Sequence, residues 1–253
     1  MFNVIKSELY KTRHRWYPFI YTGVFCGLGL GLVLIFASAN RYQSSHPIHY
    51  DEIAVMLMSV LSIGSLLTVP IVDIVFSDEY KHQTMKNSLS FGISRPAVYL
   101  GKLAVQLVVA LLMLAAILTV TLGGAYLFLG DNGKGGEITK MLLIRLVGAL
   151  PLWIGSLCLV NMLAFLIKNS TLYSLVFVGV FLSAGQICQV LGVLVSPAFA
   201  VVRDWLISTQ FDHLTMDSEV TGLVLAKCAA IGLGMAVLST VAGILMFRRR
   251  EVK

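Results

Sequence analysis

Gly130-Asp131-Asn132-Gly133-Lys134-Gly135-Gly136 is the stretch of this 253-residue chain that comes nearest to a phosphate-binding loop. Such a loop needs Lys and then Ser or Thr after its last glycine, so that an ammonium reaches the phosphates and a hydroxyl reaches magnesium. Here Gly136 and Glu137 follow, and the stretch reads as a flexible turn. His46, His49, Asp51 and Glu52 place imidazoles and carboxylates close enough in sequence to hold a divalent metal. Nothing local fixes their geometry, so they read as a solvated loop. The chain has no HExxH pair for a zinc protease and no GxSxG elbow for a serine nucleophile. An intramembrane enzyme would need polar partners at matching depth, and Asp73 with Asn161 or His82 is the best pairing on offer. Cys26, Cys158, Cys188 and Cys228 all fall in apolar runs without CxxC spacing, giving neither a disulfide framework nor a zinc site.

The elements that must position these groups are long and apolar. Hydrophobic residues make up 57% of the chain and charged ones 13%, whereas a soluble domain carries about 25% charge. Lipid is the solvent that fits. A helix crosses a hydrocarbon core of ~30 Å with about 20 residues rising ~1.5 Å each. Uncharged runs give six such spans, over 17–37, 53–76, 103–129, 141–167, 172–195 and 222–247. They are too long and too evenly apolar for the alternating strands of a barrel. The fold class expected is therefore an all-α membrane protein forming a single transmembrane domain over 1–253. The first apolar run is too long for a signal peptide and is expected to stay.

The net charge of +6 does not point to nucleic acid, because the basic residues lie in short segments between spans. With the N-terminus inside, thirteen of the nineteen Lys and Arg residues are cytoplasmic, and Arg248-Arg249-Arg250 anchors the other end there too. Both termini are thus expected in the cytoplasm. Residues 1–16 place Phe2, Ile5 and Leu9 at helical spacing, with Lys6, Lys11, Arg13 and Arg15 mostly elsewhere, as an interfacial helix would. Before the last span, 199–207 mixes apolar and polar residues and could dip back into the membrane as a re-entrant external segment.

Charges inside spans mark function, because burial at the bilayer centre costs at least ~2.5 kcal/mol. Asp73, Arg145 and Lys227 all lie near span ends. Arg145 and Lys227 can snorkel outward, or form a basic rim on a substrate path. No chain of intramembrane carboxylates suggests ion coupling. Gly23, Gly27 and Gly31 repeat every four residues along one face of the first span, where two helices can approach closely.

The connection over 77–96 is the longest on the cytoplasmic side. Ser77 can cap a helix whose first turn carries Asp78 and Glu79, with Tyr80, Thr84 and Leu89 adding apolar surface before Gly92 and Pro96 end it. A short polar helix between two spans suits docking to a cytoplasmic partner. Glu79, Thr84, Leu89-Ser90, Ile93-Ser94-Arg95 and Lys102 occur in the order found in the small six-span permeases of type-2 ABC exporters, which this chain resembles. Gln83 stands where that family often has Gly before the Thr. Glu8-Leu9-Tyr10-Lys11 ahead of a basic, aromatic start to the first span is similar as well.

The resemblance implies a bacterial cytoplasmic-membrane subunit with no cofactor of its own. Two copies of a separate ABC ATPase would bring ATP and magnesium, and a second permease copy would complete the unit. It implies a coupling helix through Asp78, Glu79, Tyr80, Thr84, Leu89 and Arg95, and a permease dimer interface on the first and fifth spans, to which Gly23, Gly27 and Gly31 would belong. Among the substrates such small permeases serve, an amphiphilic antimicrobial or cytolytic peptide suits the mostly apolar spans and a lipid-accessible route. A lipid, drug or glycan exporter is the alternative within the class. Outside it stand a membrane sensor subunit and an intramembrane enzyme.

Overall fold

The computed structural model describes residues 2–42, 47–82, 92–167, 169–217 and 220–249. Ten α-helices make up its regular structure, and no strand occurs among the described residues. α1 (Phe2–Arg13) precedes α2 (Tyr17–Tyr42), and α3 (Tyr50–Ser59) leads into α4 (Ile63–His82). α5 (Arg95–Leu129), α6 (Gly135–Leu166) and α7 (Ser170–Leu194) follow. Two short helices, α8 (Ala198–Asp204) and α9 (Ile207–Met216), then precede α10 (Gly222–Arg249).

Five helices, α2, α5, α6, α7 and α10, are long and apolar enough to cross a membrane singly. The second span departs from the unbroken helix expected over 53–76. α3 and the apolar part of α4 make it together, bent by 71° at the break between them. Trp153 on α6 braces the break, donating its indole N–H at 3.0 Å to the Leu61 carbonyl, which also accepts the Gly64 N–H at 3.1 Å. A Cβ at Gly64 would lie 2.3 Å from that indole, so glycine is what lets the wedge in. Ser65 and Ser156 hydrogen-bond at 3.0 Å just beyond, holding α4 to α6.

α6 and α10 pack backbone to backbone. A Cβ at Gly155 would lie 2.6 Å from the Gly232 carbonyl oxygen, and one at Gly232 would lie 2.3 Å from the Pro151 carbonyl. Close approach of this kind replaces the hydrophobic drive that lipid does not supply. α2 packs on α5 by seating side chains on glycines, Thr121 on Gly29 and Leu30 on Gly124. Gly23, Gly27 and Gly31 are not part of that contact: a Cβ at any of them meets nothing.

The other sequence expectations shift at their ends. α5 and α6 begin six to eight residues before the uncharged runs, because Pro96 fits a first helical turn and the Asp131 carboxylate accepts from the Gly135 N–H at 2.8 Å. Gly130 and Gly133, with φ of 73° and 92°, make the turn between them. Asn169 caps α7 by accepting from the N–H groups of Thr171 and Leu172. Ser77 lies inside α4 instead of capping a new helix, since the backbone stays helical through Asp78, Glu79 and Tyr80 to His82. Thr84, Leu89 and the side chains of residues 77–82, that of His82 among them, lie outside what is described.

Candidate functional site

The functional side chains gather at the end of the bundle that holds both termini. α1 was expected to show the membrane an apolar stripe of Phe2, Ile5 and Leu9. Leu9 is 41% exposed on the outside of the bundle, while on the other face Glu8 is 6% exposed and Thr12 is buried. Glu8 faces α5, where Lys102 is 1% exposed, and the two pair at 2.9 Å. The other Glu8 oxygen takes Lys11 at 2.7 Å. Lys102 also lies 5.1 Å from the centre of the Phe76 ring on α4. Val4 fills the notch left by Gly101, where a Cβ would sit 2.8 Å away. α1 is therefore clipped onto the start of α5 and the lower part of α4 by a buried ion pair.

Burial alone pushes the Glu8 carboxyl pKa up. Lys102 and Lys11 more than reverse that, and the net shift is downward. A paired carboxylate at this depth is stable only while both partners stay charged.

Around this clip lie further ties. Arg15 donates to the Ile74 carbonyl at 2.5 Å, joining the start of α2 to α4. Tyr173 on α7 donates its hydroxyl to Asp73 at 3.1 Å. Arg95, expected at the ATPase contact, donates to the carbonyls of Phe247 and Arg248 at 2.9 and 2.7 Å, capping the end of α10. Its guanidinium also lies 5.8 Å from the Phe247 ring centre. Phe76, Tyr99, Phe165 and Phe247 stack in the middle, with centroid separations between 4.6 and 4.8 Å. At this end α4 thus touches α5 through Phe76 and Lys102 and α6 through Phe76 and Phe165, and Phe165 carries the contact on to α10.

At the opposite end, Arg145 does not snorkel. It is 8% exposed and donates to the carbonyls of Leu214, Thr215 and Asp217, at 2.6, 3.1 and 2.9 Å, closing the C-terminus of α9. A cation there complements the negative helix end. Replacing Arg145 by Met is expected to free α9, because each charged hydrogen bond is worth about 1.5–3 kcal/mol. Faster proteolysis within 207–217, measured against wild type, is the readout. Lys227 on α10 pairs with Asp204 of α8, and the Asp204 carboxyl also faces His213 of α9 at 3.4 Å. The Lys227 hydrogen bond holds the Asp204 carboxyl below the ordinary carboxylate range. Arg145 and Lys227 thus both fasten the segment before the last span.

The metal reading of the 46–52 stretch loses its loop. His49 donates its backbone N–H to Glu52 at 2.7 Å and its ring Nδ1 to Leu129, while Asn132 donates to Asp51. These contacts start α3 and dock it beside the α5–α6 turn. His46 lies outside the described residues, among which no three His, Cys, Asp or Glu side chains converge to hold a metal. Asp73 and Asn161, the pair an enzyme would need, are not hydrogen-bonded to each other: Asp73 has Tyr173, and the Asn161 amide has no partner.

Five apolar helices, a sixth broken span and a clipped terminal helix define a multi-pass membrane protein of the permease type. Residues 4–186 match the family described as ABC-2 family transporter protein, and the chain belongs to that family. Membership makes it the membrane subunit of a transporter whose ATP hydrolysis is carried out by a separate ABC ATPase. Comparison with curated proteins finds no match.

Proposed function

We propose that this chain is the permease of an ATP-driven exporter for amphiphilic antimicrobial or cytolytic peptides, serving export of or immunity to them. The observation that carries the reading is an apolar cleft between α4, α5 and α6, lined by Gly64, Leu67, Leu107, Leu111, Trp153 and Leu157, with Thr68 on its wall. It lies along the middle of three spans, where an amphiphile can bring its apolar side from the bilayer without meeting a charge. A substrate built of sugars would want donors and acceptors along such a wall. Stimulation of the reconstituted permease–ATPase complex by a panel of cationic amphiphilic peptides tests it. Peptides should raise ATP hydrolysis, and Trp153→Ala should weaken the apparent affinity about tenfold, near 1.4 kcal/mol. A panel that leaves the rate unchanged, against stimulation by a lipid or drug, would overturn the peptide reading.

In this reading both termini lie in the cytoplasm of a bacterial cell, two ATPase copies bind ATP and magnesium, and the end of α4 rests on one of them. Co-purification of the ATPase in mild detergent tests that contact. Glu79→Lys is expected to lose about tenfold in affinity, and a chain that purifies alone as wild type would remove the coupling. A second permease copy would cover the open face of Gly23, Gly27 and Gly31. Gly27→Leu should then leave the thermal stability of the monomer unchanged, since its Cβ meets nothing. Self-association, read by light scattering in detergent, should fall about tenfold.

A further inference from the structure

The helices divide into two groups by how closely they touch. α1, α2 and α5 form one, joined by Val4 in the Gly101 notch, the Glu8–Lys102 pair and the Gly29–Thr121 contact. α4, α6 and α10 form the other, joined by Gly155 on Gly232, Trp153 on Leu61 and Ser65 on Ser156. Between the groups runs the seam of α5 against α6 and α10. Its ends are tied. Arg95 bonds the last carbonyls of α10 at one end, and the short Gly130–Gly133 turn, held by Asp131 on the Gly135 N–H, joins α5 to α6 at the other.

The middle of the seam is different. Tyr99 on α5 packs its ring on Phe165 of α6 and over Gly243 of α10. Its hydroxyl lies close enough to the Asn161 carboxamide to feel its dipole, but outside the geometry of a hydrogen bond. At about 100° per residue, Gln106 falls within about 20° of Tyr99 around α5, two turns further on, and so shares the face turned to α6. Gln106 and Asn161 are both 0% exposed, and both polar atoms of each carboxamide lack a hydrogen-bond partner. Carboxamides gain nothing from sitting unpaired in an apolar seam, and Leu or Met would pack there better. Polar groups kept at such a cost inside a membrane bundle mark a place that meets water or a polar ligand in some state.

We propose that the α5–α6 seam is where the permease changes shape, and that Gln106 and Asn161 face water in the other state of its cycle. The two groups of helices then move as bodies, α5 turning against α6 between its tied ends. This rests on the transporter reading above, and the first arm of its test does not. In that arm the purified chain in detergent carries Gln106→Met, Asn161→Leu or both. Unpaired carboxamides predict that each change raises the midpoint of thermal unfolding by about 2–4 °C and that the two add. A fall in either single variant, recovered in the double, would mean that the groups are already satisfied, and would overturn the proposal.

The second arm uses the permease–ATPase complex with Cys26, Cys158, Cys188 and Cys228 replaced by Ala and Asn161→Cys added. Labelling by N-ethylmaleimide is compared without nucleotide and with ATP and vanadate. About tenfold faster labelling in one nucleotide state is expected. Equal labelling in both states, in a complex whose ATPase turns over, would overturn the seam while leaving the transporter reading intact. A wild-type chain that recruits no ATPase would sink the transporter reading instead, and the thermal arm would still decide whether the carboxamides are unpaired.

Discussion

Glu8→Leu is expected to release α1 from the bundle. The change removes the carboxylate that accepts from both Lys102, at 1% exposure, and Lys11. Breaking a buried pair from one side costs about 3–5 kcal/mol. The Lys102→Met change is expected to be milder, because Glu8 keeps Lys11 at 2.7 Å. Trypsin cleavage at Lys6, Lys11 and Arg13 in detergent reads the release directly. Exchange of the two residues, Glu8→Lys with Lys102→Glu, should recover part of the protection, and no recovery at all would mean that the pair is incidental. The same clip sets an acid limit. The Glu8 pKa is lowered in the folded chain, so its contribution is fully present above the ordinary carboxylate pKa of 4.5 and is lost as pH falls through the lower folded value. Trypsin is inactive in that range, so pepsin cleavage of α1 between pH 5 and 2 is the matching measurement.

Gly232→Val should abolish folding more completely than any change at a charged residue. A Cβ at that position would lie 2.3 Å from the Pro151 carbonyl carbon and oxygen, which are backbone atoms and cannot step aside. Even Gly232→Ala must push α6 from α10 along their whole contact, and overpacking of this kind costs about 1–3 kcal/mol where side chains alone must move. The Val variant should be lost from the membrane fraction or recovered only as aggregate. A Val at Gly31, open on the face of α2, serves as the control and should express as wild type. Normal recovery of Gly232→Val would show that the α6–α10 contact is looser than described.

The spans were legible because lipid imposes one rule, about 20 apolar residues per crossing, and α2, α6, α7 and α10 obey it. The break in the second span was not. Val60-Leu61-Ser62-Ile63 reads as continuous helix, and the group that stabilises the bend, the Trp153 indole, comes from α6, 92 residues away. The site was half legible. Glu8 and Lys102 stood out as features shared with a family, but the periodicity of α1 told only which side chains face the membrane, not that the opposite face docks on α5. A Lys with no apparent reason to sit in an apolar run, and a Glu followed by Thr12 one turn later, were the signal that the polar face of α1 is the docked one. Arg145 was read from depth alone. What turned it inward is a row of helix-end carbonyls that forms only once α9 exists, and no local pattern foretells that. Asn161 was singled out only as a partner for Asp73, which bonds Tyr173 instead, and Gln106 carried no warning, because a carboxamide in a span is notable only when its partners prove to be missing.

The bend between α3 and α4 sets how thick a bilayer this protein can sit in. The apolar part of α4, from Ile63 to Phe76, rises only roughly 21 Å. At 71° to it, the ten residues of α3 add roughly 5 Å more. That side of the bundle thus matches roughly 26 Å of hydrocarbon against ~30 Å in a typical membrane. The uncharged part of α5, over 103–129, is roughly 40 Å long and overreaches the same layer from within the same bundle. Lipids must shorten beside the bent span and stretch or tilt beside α5, a mismatch that costs fractions of a kcal/mol per Å. The protein therefore carries a slope in membrane thickness around its circumference, and straightening α3 onto α4 would flatten that slope and release the strain in the surrounding lipid.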